Sequence, residues 1–370
     1  MKKLAVYAGL MLLTILVSAG FTACGKKTSE AEDITKTADA SAENEETVQL
    51  ENVGTLKVAW FPAAIKAALT SIAYKEGYFE QEGVTVITEV LQNSADALTA
   101  IQLGKVDITP VGITQQLQFI SQGENLIIFG GSAQEGGAIV TTPENAEKFA
   151  DLENWKGANW ATGRSFTGDF VIRDNLRKLG IIPGEDVAIS DLADNTPIIQ
   201  AVSKGTADVG YITSDGVAIA EEMGLTIGIR VADLDPYYPC CRQTANADSI
   251  KTKREAFVAY QRALIRAYKL ILSDQEQAIA DMIELTGQDR NYVETGLYGE
   301  YASRYNPDPA KKKVLQFAGY LKQEGVVENI DLVESHIDAS VFQEALSDIL
   351  ERYPDDPDYL ALQEFSEEND

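Results

Sequence analysis

The sequence predicts an α/β fold of two lobes facing a cleft, with a helical C-terminal part packed back on the first lobe. Three observations predict it. Apolar strand candidates alternate with helical segments between residues 56 and 129, the same alternation restarts at residue 157 and runs to 229, and beyond residue 251 apolar residues recur at steps of three and four. Alternation of this kind requires right-handed crossovers and gives each lobe a parallel sheet.

In chain order, Leu56-Lys57-Val58-Ala59-Trp60 is the first strand, stopped at Phe61-Pro62, and a helical stretch runs on through Ala73. The turn EGYFEQEGV leads to a strand over residues 84–90, a helix from Ala95 to Leu103, a strand over 106–109, a short helix near 115–121 and a strand over 126–129. GGSAQEGG then reads as a turn into a hinge. The second set comprises strands at 157–161, 187–189, 209–213 and 225–229, with helices at 169–179 and 197–204. In KREAFVAYQRALIRAYKLIL, Phe257, Tyr260, Leu264, Tyr268 and Ile271 form one apolar stripe, the mark of an amphipathic helix. Phe317, Tyr320, Leu321, Val341, Phe342 and Leu346 read the same way, and these helices are expected to return to the first lobe.

The chain opens with Lys2 and Lys3, an uncharged and mostly apolar run from Leu4, and Phe21-Thr22-Ala23 before Cys24, the pattern of a secretory signal over residues 1–23. Small residues directly before a cysteine resemble the bacterial lipobox, which implies acylation of Cys24 and a chain held by lipid at the outer face of the bacterial cytoplasmic membrane. The alternatives are an ordinary signal peptide or an uncleaved anchor. Residues 25–52 hold too few large apolar groups to offset their ordering entropy and read as an acidic tether. The expected divisions are 24–53 lipidated Cys and tether, 54–135 lobe one, 136–235 lobe two, 236–350 the helical return, and 351–370 an acidic, solvated tail.

The formal charge is −26, with 57 acidic against 31 basic side chains, and loss of residues 1–23, which hold two lysines and no acids, takes it to −28. A surface of that sign argues against nucleic acid, which is bound by neutralising phosphates, and against broad attraction to anionic lipid.

Three stretches carry a family likeness: TLKVAWFPAA; YKEGYFEQEGVTV with its Gly77-Tyr78-Phe79 turn; and SADALTAIQLGKVDITPVG with Gly104-Lys105-Val106-Asp107. Gly205-Thr206-Ala207-Asp208 repeats the last pattern in the second lobe, and ENIDLVESHIDASVFQEAL is similar to the family's closing segment. Over roughly residues 54–350 the chain resembles the solute-binding proteins of ABC importers for nitrate, sulfonate, taurine and the pyrimidine precursor of thiamine. That resemblance implies a two-lobed type II periplasmic-binding-protein fold, a monomer without cofactor, that closes on a small-molecule ligand and docks on an ABC permease and its ATPase.

In open α/β sheets ligands sit beyond the carboxyl ends of the strands, against helix N-termini. That rule selects Trp60, Phe61 and Pro62 after the first strand, Asn93 and Ser94 after the second, and Thr114 with Gln115 after the third. In the second lobe it selects Arg164, Ser165 and Thr167 within TGRSFTGDF, and Asp215. Ser165 and Thr167 either let backbone amides approach a ligand or cap the helix that follows. Arg164 pairs with an anion or stays exposed, and Asp215 holds a cation or caps a helix. The resemblance places the ligand against Trp60.

The stretch PYYPCCRQT sets Cys240 and Cys241 side by side before Arg242, at the expected crossing back to lobe one and the rim of the cleft. A bridge between neighbours is strained, because consecutive α-carbons stand about 3.8 Å apart and a disulfide needs roughly 4.4 Å or more. The pair resembles a cysteine run in the thiamine-precursor branch, but Arg242 and Gln243 replace the rest of that run.

Two other classes of function compete with solute binding. A related group of enzymes makes the thiamine pyrimidine with a histidine and a lysine, but His336 is the one histidine of this chain and lies in the helical tail, which excludes a multi-histidine metal centre. GRSFTG is one residue too long for a nucleophile elbow, and neither a Walker motif nor GxGxxG occurs. A surface adhesin needs less than two α/β lobes. For the ligand, Arg164 or Arg242 facing the cleft favours an anion, whereas Trp60, Tyr237 or Tyr238 with Asp215 favours a heteroaromatic amine. The cysteine pair tips the reading toward the heteroaromatic. Hinges are expected near Ser132 to Thr142 and Val231 to Cys241, and Trp60→Ala and Arg164→Ala are expected to weaken binding.

Overall fold

The computed structural model describes residues 50–61 and 64–370, so the signal, Cys24, nearly all of the tether and Pro62 lie outside the described residues. Among the described residues, eleven strands build two sheets: β1 (Gly54–Trp60), β2 (Val84–Val90), β3 (Ile108–Gly112), β4 (Leu126–Glu135), β5 (Ala138–Thr141), β6 (Asn159–Gly163), β7 (Ala188–Leu192), β8 (Val209–Ile212), β9 (Thr226–Arg230), β10 (Pro239–Asn246) and β11 (Ser303–Tyr305). The first sheet runs β11-β4-β10-β3-β1-β2, and the second runs β7-β6-β8-β5-β9. In β1, buried Leu56 and Val58 alternate with exposed Thr55 and Lys57, the period of two of a half-buried strand. β1 pairs in parallel with β2 and β3, and β6 pairs in parallel with β7 and β8.

The sheets are mixed rather than all parallel. β10 runs antiparallel between β3 and β4, and β5 runs antiparallel between β8 and β9. The cause is topological: β5 and β10 are the strands that arrive from the other sheet, at residues 135–138 and 230–239, and so enter from the opposite end. These crossings fall where the hinges were expected. The segment PCCRQTAN is therefore an inner strand and not only a rim. Its buried Arg242, Gln243 and Thr244 gave no apolar pattern to read. β4 continues through GGSAQE because a side chain at Gly130 would strike Gln261, and one at Gly131 the carbonyl oxygens of Asn306 and Asp308.

The helix Arg254–Ser273 buries Phe257, Tyr260, Leu264 and Ile271 against the helices Ala68–Lys75 and Ser340–Arg352, which returns the chain to the first sheet as expected. The helix Lys311–Gln323 departs from that expectation. Its Phe317 meets Phe170 of the second sheet's helix Thr167–Lys178 edge-on at 6.0 Å, and Glu324 just after it accepts from Arg173 and Arg177. One buried cluster thus joins Ile113 and Leu117 to Trp160, Phe170 and Phe317. Nor is the acidic end simply solvated. Asp356 caps the helix Pro357–Asn369, which buries Tyr359 and Leu362 three residues apart while Lys269 pairs with Asp356 and Asp358.

Candidate ligand-binding site

A cavity of about 290 Å³ lies where the carboxyl ends of β1 and β3 and the amino end of β10 face the carboxyl ends of β6 and β8. The first sheet and its helices supply Lys66, Ser94, Gly112, Thr114, Gln115, Cys240 and Cys241, and the second supplies Ser165, Phe166, Thr167 and Thr213. An adjoining hollow of about 260 Å³ shares Lys66, Ser94, Gly112 and Cys241 and adds Phe61 and Asn93.

Two helices begin at this cavity without a side-chain cap: Ile113–Ser121 from Gly112, and Thr167–Lys178 from Phe166. Uncapped N-termini leave backbone N–H groups and the positive end of the helix dipole to whatever occupies the space. The helix Ser94–Gln102 differs, since the Asn93 side chain accepts from Asp96 N at 2.9 Å. Thr114 Oγ1 is buried with no hydrogen-bond partner among the described residues.

Lys66 sits in a 3-10 turn, Ile65–Ala67, just after β1, with Nζ 3.7 Å from Asp215 Oδ1. Burial works against its charge, but Cys240, Asp215 and Cys241 outweigh burial and hold the ammonium protonated. Asp215 is likewise kept ionised: burial pushes its carboxyl up, and the Lys66 charge and the Thr213 hydroxyl more than reverse this.

The cysteines owe their placement to a bulge. Pro239 opposes Gln134, Cys241 opposes Ala133 and Arg242 opposes Gly131, so the register slips on both sides of Cys241. In a regular strand neighbouring side chains point to opposite faces, whereas a bulge re-aims them. Both thiols are free, 3.6 Å apart, and both line the cavity. Donation from the Cys241 S–H, followed by the Lys66 charge, lowers the Cys240 thiol to about 6 against the pull of burial. The same bond and burial push Cys241 up.

The profile of the family described as NMT1/THI5 like matches residues 66–278, a span that includes every residue of the 290 Å³ cavity. The chain belongs to the NMT1/THI5-like family. YtlA of Bacillus subtilis (strain 168), by its name a candidate binding protein, is 25% identical over 275 residues, 70% of this chain and 80% of YtlA. Among solved structures, the alkanesulfonate-binding protein SsuA from Xanthomonas axonopodis pv. citri superposes with a TM-score of 0.62 at 16% identity, covering 79% of this chain and all of SsuA. The periplasmic nitrate-binding protein NrtA from Synechocystis PCC 6803 gives 0.64 at 14% identity, over 85% and 98% of the two chains. The fold is that of the periplasmic binding proteins, as the sequence led us to expect.

In this NMT1/THI5-like chain the structure brings Ser94, Thr114, Ser165, Thr167 and Cys240 to one cavity, with Phe61 and Asn93 at its edge. Ser165 and Thr167 do not cap the following helix. Four expected residues lie off the lining. Trp60 packs its ring on Tyr74 at 5.4 Å. The Arg164 side chain is 82% exposed and reaches Asp191 at 3.3 Å, a solvated pair. Asp215 stands behind Lys66. Arg242 is fully buried beneath the cavity, donating to the carbonyl oxygens of Pro309 (2.8 Å), Ala133 (3.1 Å) and Cys241 (2.9 Å), and burial lowers it to about 10.

Tyr238 also turns inward, donating to Gly136 O at 3.2 Å, and Tyr237 packs on Phe365. Lys66 is not among the residues the sequence points to, because it lies within a stretch that reads as helix. Its signal was a single cation in the apolar run FPAAIKAALTSIA immediately after the first strand. A larger cavity of about 670 Å³ borders the C-terminal helix and includes Leu346, Leu350 and Asp370, but it has no cation and no helix N-terminus in its lining.

Proposed function

We propose that this chain is the solute-binding component of an ABC-type import system and that it holds its solute by an anionic group. The observation that carries the reading is the convergence on one small cavity of the Lys66 ammonium, two uncapped helix N-termini and the unpaired Thr114 hydroxyl. A sulfonate, nitrate or similar oxyanion gains a charge-assisted partner and backbone amides there. The solved relatives bind nitrate and alkanesulfonate by their names, which supports the same choice. The heteroaromatic alternative loses weight, because Trp60, Tyr237, Tyr238 and Asp215 all lie off the lining.

The remaining parts of the reading follow from it. Solute bridges the two lobes, its differential affinity favours the closed state, and a permease with its ATPase receives that state. A lipid on Cys24 would keep the monomer at the outer face of the membrane. Binding rather than catalysis fits His336, whose Nδ1 lies 2.7 Å from Leu332 O in the helical tail.

Thermal unfolding against taurine, alkanesulfonates, nitrate, bicarbonate and pyrimidines tests this. An oxyanion at about 100 times its Kd should add roughly 2.7 kcal/mol. Lys66→Gln should weaken that anion by about 10- to 100-fold, the worth of a charged hydrogen bond, and Arg164→Ala should leave it nearly unchanged because exposed pairs contribute little. A shift with pyrimidines alone would overturn the anion reading, and no shift at all would overturn solute binding.

A further inference from the structure

The cysteine pair has a chemistry that solute binding does not use. A thiolate becomes a nucleophile where a cation and a hydrogen-bond donor stabilise it in a space that a reagent can enter. Cys240 meets each condition: Lys66 lines the same cavity, the Cys241 thiol lies 3.6 Å from it, and it opens on a space large enough for a molecule of a few heavy atoms. The charged and titratable groups around the pair are Lys66, Asp215, Tyr211, Tyr238, Tyr305 and Arg242, and the buried tyrosines are held neutral.

We propose that Cys240 is a thiol-modification site inside this pocket, which accepts a thiol group from a small, low-molecular-weight disulfide. The Cys240 thiolate attacks one sulfur of R–S–S–R, a Cys240–S–S–R bond forms, the original S–S bond breaks, and R–S⁻ leaves and takes a proton from water. Cys241 stands in the position of a resolving thiol, but attack by it would close a strained ring across neighbouring α-carbons about 3.8 Å apart, shorter than the roughly 4.4 Å or more usual for a disulfide. The mixed disulfide therefore persists until an external thiol reverses it. Exported proteins meet oxidising surroundings in which such disulfides occur.

The test is incubation of the full chain with bis(2-hydroxyethyl) disulfide at pH 7, followed by peptide mapping, with the rate read from intact mass. The expected result is one hydroxyethylthio group on Cys240, lost in Cys240→Ser and retained in Cys241→Ser. In a parallel incubation at pH 5, below the Cys240 value, Lys66→Gln should slow the reaction about tenfold, as there each pKa unit changes the thiolate fraction about tenfold. A label confined to Cys24 or Cys241, or an unchanged rate in Lys66→Gln, would overturn the proposal. The readout needs no solute and so stands apart from the transport reading. If the adduct forms and the anion-induced thermal shift survives it, the thiol chemistry holds and the solute belongs elsewhere.

Discussion

Lys66 is the charge an anion would meet, and its neighbour sets the pH at which that charge is available. With its thiol held down to about 6 beside Cys241 and Lys66, Cys240 is expected to be neutral below that pH. As pH rises through that value the thiolate appears beside Lys66 and competes with an incoming anion for the same ammonium. Anion affinity should therefore be highest near pH 5 and fall toward pH 8, whereas Cys240→Ser should bind with a flat profile over that range. Calorimetric titrations at several pH values would check this, and a flat wild-type profile would show that the two charges do not compete. At this scale the sequence was legible where position alone decides. The rule of strand carboxyl ends found Ser94, Thr114, Ser165 and Thr167, because backbone topology puts those loops at the cleft. The rule does not bring Arg164 to the lining, nor does the reading of PYYPCCRQT bring Arg242 there, because whether a guanidinium faces solvent, a cavity or three carbonyl oxygens depends on packing that no local pattern records.

Between elements, the helix Arg254–Ser273 is tied to the first sheet's edge by Glu82. Its carboxylate has no exposed surface and accepts from Arg262 at 2.9 Å, Arg266 at 3.2 Å and Arg352 at 2.8 Å. Burial pushes this carboxyl up, but Arg352, Arg262 and Arg266 outweigh burial and hold it below its ordinary value of 4.5. Its contribution is thus present above that pH and lost as pH falls through the lowered value. Removing one partner of a buried ion cluster strands the others, so Glu82→Gln should cost about 3–5 kcal/mol in urea unfolding at pH 7, with the cavity lining untouched. A loss below 1 kcal/mol would mean that the arginines simply resolvate. Elements with a strong period, β1, β2 and this helix, were readable from the chain. β5, β10 and β11 were not, because β5 and β11 have only four and three residues and β10 buries polar side chains, of which Arg242 and Gln243 bond to partners distant in the chain.

Across the whole molecule, the two crossings between the sheets are fastened to one carboxylate. Glu135 ends β4 at φ 60 and Tyr237 precedes β10 at φ 63, both left-handed values that cost a non-glycine residue about 1 kcal/mol or more. They persist together because Tyr237 N donates to Glu135 Oε1 at 2.8 Å and Glu135 N donates to Tyr238 O at 2.8 Å. The same carboxylate holds Arg230 at the end of β9 at 3.2 Å and Arg304 of β11 at 3.1 Å, one from each sheet. This arrangement accompanies a cavity lined by residues of both sheets. Glu135→Gln keeps the shape and the acceptor for Tyr237 N but releases both arginines, which favours separation of the lobes. An anion that binds the closed state should then lose about three- to tenfold in affinity, or roughly 0.7–1.4 kcal/mol, although Glu135 does not line the cavity. Isothermal titration alongside urea unfolding separates the two possibilities. Weaker binding with a small change in stability places Glu135 on the closure equilibrium, whereas unchanged binding with lower stability would confine it to holding the crossings in place.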